Sequence, residues 1–272
     1  MNSVTPAFLP ASHSVPSARR ALRADDGALR TTLAVIVPCH NEAEAIPDLK
    51  LGMERLRSAL QRRFDLQWLL VDDGSTDDTP SLMRELAREC DGVTVLCHDR
   101  CQGIAAAINT GLQHTKAEIV ASLDADCTYD PLILEPMLQL LTREVDMVVA
   151  SPYHPRGGVE GVPAWRLQLS QGASRMYGLL MRNKLHTYTS CVRVGWRESI
   201  ADLPTVNPGF VGIVELIWHL DRRGARIAEQ PAVLRTRSVG QSKMRIARAT
   251  LAHLRLMGRA AWRRVFPGQE TS

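Results

Sequence analysis

From residue 33 onward, short β-branched and aliphatic runs alternate with longer segments of helical period, the pattern of a parallel sheet joined by crossover helices. The first strand is expected at residues 33–37. The helix after it has Pro47 in its first turn and Leu49, Met53, Leu56 and Leu60 along one stripe. A second strand spans residues 67–71. Thr79 then reads as an N-cap with Pro80 opening a helix that buries Leu82, Leu86 and Cys90. Further strands fall at 93–97, 118–123 and 145–150, separated by a small-residue helix at 103–114 and a helix opened by Asp130-Pro131. Beyond residue 150 the order is less regular. A loop marked by Gly157-Gly158 and Pro163 precedes a helix at 165–182, an extended stretch at 185–194, a helix at 210–223, a strand at 226–234 and a long helix at 243–266.

Composition narrows this to one folded α/β domain with appendages, since 272 residues at 45% hydrophobic and 23% charged exclude disorder, collagen and coiled coil. Aromatic residues make up only 5%, so the core is mostly aliphatic. Charge is uneven. Residues 231–269 hold nine cations and no acid, which leaves the rest at −5 against an overall +4. The six cysteines form no CxxC pair and no zinc spacing, so reduced thiols and a cytoplasmic setting are expected. Residues 1–18 are uncharged but broken by Pro6, Pro10 and Pro16, and residues 1–30 read as a disordered arm. The domain then spans 31–243, a basic helix 244–266 and a tail 267–272. Elsewhere the longest uncharged run is 101–115, shorter than the roughly 18–20 apolar residues a membrane span needs. Membrane contact is therefore expected to be peripheral.

In an open parallel sheet, ligands bind beyond the carboxyl ends of the strands. Two acidic pairs fall there: Asp72-Asp73-Gly74-Ser75 after the second strand, and Asp124-Ala125-Asp126 after the fourth. Either alone is as well explained by a turn. Together they concentrate negative charge that calls for a divalent cation. Magnesium takes one or two carboxylates and completes its shell with water and phosphate oxygens, which points to a nucleoside diphosphate ligand. Neither GxGxxG after the first strand nor GxxxxGK[ST] is present, which disfavours dehydrogenase and kinase chemistry.

Pro38-Cys39-His40-Asn41-Glu42, Asp72-Asp73-Gly74-Ser75 and Asp124-Ala125-Asp126 together resemble the family-2 inverting glycosyltransferases. Arg237-x-x-Gly240-x-Ser242-Lys243, Glu229-x-Pro231 and the 209–215 segment are similar to the dolichol- and polyprenyl-phosphate sugar transferases within that family. The resemblance spans residues 33–245. It implies a GT-A-type nucleotide-sugar fold, mostly parallel with flanking helices, and a hexose moved from a GDP- or UDP-sugar to a polyprenyl phosphate. By the same resemblance, Pro38, Asn41, Glu42, Asp72 and Asp73 hold base and ribose. Asp124, Ala125 and Asp126 meet the diphosphate, with Asp124 and Asp126 holding Mg2+ or Mn2+. Arg237 and Lys243 would close over the phosphates.

Arg166 and Ser170, one helical turn apart, match the positions that contact the acceptor phosphate in the lipid-phosphate relatives, a spacing an ordinary amphipathic helix shares. Three departures stand out. Ser151-Pro152-Tyr153 replaces a Ser-Arg-Tyr common in those relatives, with Arg156 the nearest substitute. Thr128 stands where a glutamine often completes the metal site, and residues 187–193 replace an Asp-x-x-Ser-Gly-Phe-Arg pattern. A soluble hydroxyl or glycan acceptor and a catalytically silent nucleotide-binding subunit stay open as alternatives. The last helix gathers Ile246, Ala247, Thr250, Leu251, Leu254, Met257, Ala261 and Val265 on one arc, opposite Arg245, Arg248, Arg255, Arg259 and Arg263. That arc can lie on an anionic membrane or pack on the domain, and its mostly small or aliphatic residues favour packing, with Trp262 the one interfacial anchor. The basic segment lacks the interleaved aromatics of a single-strand binder, so no nucleic-acid partner is expected.

Overall fold

The computed structural model of the protein describes residues 30–204, 206–236 and 246–265, with side chains in the last helix described for 250–263. The expected arm and tail, and the site candidates Arg237 and Lys243, lie outside the described residues. In chain order the elements are β1 (Thr31–Cys39), α1 (Ile46–Leu60), β2 (Phe64–Asp72), α2 (Thr79–Glu89), β3 (Val93–Cys97), α3 (Ile104–Gln113), β4 (Ile119–Ser122), α4 (Leu134–Leu140), β5 (Met147–Ser151), β6 (Gly158–Glu160), α5 (Ala164–Leu180), β7 (Arg193–Trp196), α6 (Arg197–Ile200), α7 (Phe210–Arg222), β8 (Ile227–Pro231), β9 (Val233–Arg235) and α8 (Ile246–Val265).

Seven strands form one sheet in the order β3-β2-β1-β4-β7-β5-β8, and β6 pairs with β9 in a separate ribbon. All main-sheet neighbours are parallel except β7, which runs antiparallel between β4 and β5. Alternation of side chains along β1 feeds two cores. Leu33, Val35 and Val37 meet Leu49, Met53, Leu56 and Trp68 on one face, while Ala34 and Ile36 meet Ala107, Leu112, Val214 and Ile217 on the other. Helices α1, α2 and α4 cover the first face, and α3, α5, α7 and α8 the second. The result is the mostly parallel, helix-flanked sheet expected.

Four expectations need correction. Asp78, not Thr79, occupies the N-cap of α2, because the Thr79 hydroxyl is taken by the Glu42 amide at 2.7 Å. The buried stripe of α2 is accordingly Thr79, Met83 and Leu86, with Leu82 and Cys90 only partly covered. The extended stretch at 185–194 yields a strand only from Arg193. Its earlier backbone groups go to side chains instead: the amides of His186 and Thr187 to Glu229, and that of Leu185 to the Tyr188 hydroxyl. The strand expected at 226–234 splits after Pro231, since Ala232 bonds across to Ser151 and Gly158 and the chain passes from the main sheet to the ribbon.

The fourth correction concerns α8, which packs against α5 and α7. Among the described side chains it buries Leu256 and Ala260, with His253 and Met257 beside them, whereas Leu251 and Leu254 of the expected arc are exposed. His253 Nδ1 meets the Tyr177 hydroxyl at 2.9 Å, and Arg259 reaches the fully buried Glu215 at 3.1 Å. Arg263 lies over the Trp218 ring at 5.8 Å. Two of the arginines expected to face water thus take part in docking, because Glu215 and Trp218 offer a carboxylate and a π face on the neighbouring helix. Leu251, Leu254 and Trp262 are left on the exposed side.

Candidate functional site

The parallel arrangement brings the loops after β1, β2 and β4 to one edge of the sheet. The first two are zipped together. Asn41 donates its amide to Ser75 Oγ at 2.8 Å and accepts from the Thr76 amide at 2.7 Å through Oδ1. His40 Nδ1 sits 2.9 Å from the Asp73 carbonyl, and Ala43 donates to Asp77. Asn41 holds φ at +53°, a left-handed conformation unusual for a non-glycine residue. Gly74, at φ +65°, allows the loop after β3 to close in, since a Cβ there would lie 2.4 Å from the Arg100 carbonyl carbon. Pro38 ends this frame at the register position opposite Val71.

The two acids of the β2 loop divide the work. Among the described residues the Asp72 carboxylate accepts from the Ser75 amide alone, at 3.2 Å, while its carbonyl accepts from the His98 amide at 2.8 Å. Asp73, almost wholly buried, accepts from His98 Nδ1 at 2.7 Å, the amides of Gln102 and Gly103 at 2.8 and 2.7 Å, and the Cys101 thiol at 3.3 Å. Burial pushes its carboxyl pKa up, but the hydrogen bonds from Gln102, His98, Gly103 and Cys101 outweigh this and hold it below the ordinary value. His98 passes the contact on to Thr110 of α3 at 2.9 Å. Asp73 therefore ties the β2 loop to the β3–α3 loop, and the equally buried Asp72 carries the lighter internal load.

Past β4, Asp126 Oδ1 accepts from the Thr128 amide at 3.1 Å, and Cys127 between them holds φ at +50°. Both left-handed non-glycine residues thus flank candidate site residues, where such backbone is held by the surrounding structure. Burial first, then the charges of Asp126, Asp48, Asp130 and Asp124, raise the Cys127 thiol to about 11. Burial and the adjacent Asp124 likewise push Cys191 well up. Behind the pair, the fully buried Arg193 is lowered to about 10 by burial, partly offset by Cys191 and Asp124. Its guanidinium donates to the Ile213 carbonyl at 2.8 Å and to that of Ser190. Among the described residues, no three His, Cys, Asp or Glu side chains gather as a self-sufficient metal cage. Asp124 and Asp126 act on the same two thiols and so share one locale, a two-carboxylate set that fits a magnesium-like ion arriving with a diphosphate.

The other half of the edge is built by β5, α5 and the 185–192 stretch. Ser151 Oγ meets Thr187 Oγ1 at 2.9 Å, and Ser170 Oγ meets Thr189 Oγ1 at 2.8 Å. Tyr153 lies near Ser170 and Tyr129, and Tyr129 near Asp124, so a run of neighbouring side chains joins the acidic pair to α5. Arg166 is stacked over Trp165 at 5.3 Å, and its buried Nε has no partner among the described residues. Arg156 is exposed on the tight turn after β5, its amide bonded to His154 Nδ1 at 3.1 Å. The Arg235 amide donates to the Thr128 carbonyl at 2.9 Å, so β9 ends beside the acidic pair just before the segment carrying Arg237 and Lys243.

Sequence reasoning met Tyr153, Cys191 and Arg193 only within departures from family patterns, gave them no role, and passed over Tyr129 and the His154–His186 pair. Arg193 also carried a signal of its own, a charged residue inside an apolar run, since Cys191-Val192 precede it and Val194 follows.

A model of the family described as Glycosyl transferase family 2 matches residues 34–203. Polyprenol monophosphomannose synthase of Mycolicibacterium smegmatis is 31% identical over 241 residues, covering 85% of this chain and 89% of that protein. Undecaprenyl-phosphate mannosyltransferase of Micrococcus luteus is 29% identical over 215 residues, covering 77% and 86%. Among solved structures, glucosyl-3-phosphoglycerate synthase from Mycobacterium tuberculosis in complex with Mn2+, UDP and phosphoglyceric acid aligns with a TM-score of 0.61. It is 21% identical, with 89% of this chain and 80% of that one covered, a likeness of fold.

Proposed function

The chain belongs to glycosyl transferase family 2, and from that membership we propose that this enzyme moves a hexose from a nucleotide-sugar to a polyprenyl phosphate at a membrane surface. Pro38, Asn41, Glu42 and Asp72 receive the nucleoside between the β1 and β2 loops, whose hydrogen-bonded frame is complete before any ligand binds. Asp124 and Asp126 hold a divalent cation with the diphosphate, and Arg237 and Lys243 supply further cations to it. When bound, the metal neutralises charge on the departing diphosphate. A phosphate acceptor, with a second pKa of about 6, is already nucleophilic near neutrality and needs no protein base, so attack from the opposite face inverts the anomeric carbon.

The observation that carries the lipid acceptor is the construction of α5. One face holds Arg166 and Ser170 beside Tyr153, suited to a phosphate. The adjacent face leaves Trp165, Leu169, Met176 and Leu179 exposed, at offsets of 4, 11 and 14 residues from Trp165. The neighbouring α8, which packs on α5, likewise exposes Leu251, Leu254 and Trp262. Neither helix contains an Asp or Glu. Such a face matches an anionic bilayer and an acceptor that presents a charged head and an apolar tail together.

The test is nucleoside diphosphate release from a panel of UDP- and GDP-sugars with Mg2+ or Mn2+, with and without a short-chain polyprenyl phosphate. Release that needs one donor and the lipid phosphate is the expected result. Donor hydrolysis indifferent to lipid would transfer the reading to a soluble or glycan acceptor.

A further inference from the structure

At the carboxyl ends of β5 and β8, a second arrangement of titratable side chains lies outside the donor pocket. Glu229, on β8, has a side chain only 8% exposed. Its Oε1 accepts from the amides of His186 and Thr187 at 2.9 and 3.0 Å, and its Oε2 lies 2.7 Å from His186 Nδ1. A carboxylate only accepts, so Nδ1 of His186 carries the proton and donates. The His186 side chain is 46% exposed, an open imidazole on a buried anchor. His154 packs against it edge to face, with ring centroids 5.1 Å apart. There the polarity is reversed: His154 Nδ1 accepts from the Arg156 amide, so the neutral ring carries its proton on Nε2. No hydrogen bond to Nε2 of either ring occurs among the described residues.

Two imidazoles fixed through Nδ1 and left open at Nε2 are more than a loop pin needs, because the Glu229 contacts to two amides already hold the 186–187 backbone. The turn bearing His154 is also fixed, by the Gly157 amide bonding the His154 carbonyl at 2.7 Å. The pair adjoins the acceptor side of the site. His154 follows Tyr153, which lies near Ser170, and Thr187 after His186 bonds Ser151. The negative charge of Glu229 is met by three donors, so it offers little repulsion to a second anion. We propose that His154 and His186 form a phosphomonoester seat that, together with Arg166 and Ser170, holds the acceptor phosphate, with Glu229 as its positioning residue. This rests on the reading above that the acceptor bears a phosphate. His154 donates through Nε2, and the exposed His186 ring donates through its own Nε2 in the doubly protonated form, in which both ring nitrogens are donors.

Asparagine separates seat from pin, since its amide reproduces the Nδ1 contact of histidine and omits Nε2. In the double variant His154→Asn/His186→Asn, KM for farnesyl phosphate is expected to rise about tenfold or more while KM for the donor holds, and an unchanged farnesyl phosphate KM would overturn the seat. A second measurement does not depend on the lipid. In the wild-type chain, the ring resonances of His154 and His186, assigned by the single Asn variants, are followed by NMR during titration with farnesyl phosphate, 3-phosphoglycerate or inorganic phosphate. Both resonances should move with a phosphate-bearing ligand. If only the soluble phosphates move them, the seat stands and the lipid acceptor falls; if none does, the seat is wrong whichever acceptor the enzyme uses.

Discussion

The two halves of the sheet edge are held together by different means. On the donor side, the loops after β1, β2 and β3 interlock through short backbone-to-carboxylate and backbone-to-hydroxyl bonds, and Gly74 lets them touch without side chains between them. On the acceptor side, hydroxyl pairs and imidazoles link elements far apart in sequence, and the covering helices leave large apolar side chains uncovered. A rigid donor pocket suits a ligand whose base, ribose and diphosphate are the same in every turnover. An open apolar rim suits an acceptor delivered from a surface. Order built in before binding lowers the cost of holding a small ligand, whereas a lipid brings its own anchoring energy.

The largest expected effect breaks the donor side at its charge centre. Asp124→Asn should reduce transfer about 10^3-fold, several kcal/mol of lost transition-state stabilisation, and should weaken Mn2+ binding read by electron paramagnetic resonance in the presence of nucleoside diphosphate. Unchanged turnover in this variant would sink the metal assignment.

Next comes Asp73, whose role here is to frame. Asp73→Asn leaves one acceptor oxygen for four donors, and unsatisfied buried donors cost about 1–3 kcal/mol each, so chemical denaturation should show a loss of about 3 kcal/mol. The pH dependence has a definite sign. A carboxyl held below its ordinary value stabilises the fold above the unfolded pKa of about 3.9, and that contribution fades as pH falls through the lower folded value. The variant should lack this part of the acid sensitivity. A wild-type curve flat below that unfolded pKa would contradict the depressed carboxyl.

What was legible in the sequence divides along the same line. Donor-side chemistry sits in contiguous strings directly after strands, Pro38 to Glu42, Asp72 to Ser75 and Asp124 to Asp126, where strand period and local motif coincide. Hence the parallel half of the fold and its acidic pairs could be read from one chain. The acceptor side is assembled from Ser151, Tyr153, Ser170, Thr189 and Glu229, which sit in short or altered patterns scattered along the chain and meet only in the fold, where β7 enters antiparallel. Nor does periodicity reveal Asp73 as an internal ligand, since that depends on the β3–α3 loop reaching back to it. For α8 the apolar arc was visible, but the buried Glu215 and Trp218 that select its docked face belong to α7.

The acceptor side can be tested at its rim. Trp165→Ser and Trp262→Ser each remove a large apolar side chain worth about 2 kcal/mol on transfer out of water, so each should weaken binding to phosphatidylglycerol vesicles by roughly tenfold or more. The effect should appear in vesicle sedimentation and leave donor hydrolysis without acceptor alone. Equal sedimentation of wild type and variants would mean that this face meets something other than lipid.

The smallest effect asks whether the acceptor-side layer opens by itself. Tyr177, buried on α5, bonds His253 of α8 at 2.9 Å, and burial lowers the His253 pKa so that the ring is neutral and accepts or donates without a net charge. Tyr177→Phe deletes that bond and little else, because the aromatic ring keeps its packing against Tyr188. A single neutral hydrogen bond contributes about 1 kcal/mol, equivalent to roughly a fivefold change in a local opening equilibrium. If α8 is a separately opening cover, amide exchange should quicken about fivefold across residues 250–263, with the strands β1, β2 and β4 unmoved. If it belongs to the same cooperative unit as the donor loops, the change should spread evenly over the most protected amides instead, and the contrast between the two halves would then be one of chemistry, not of stability.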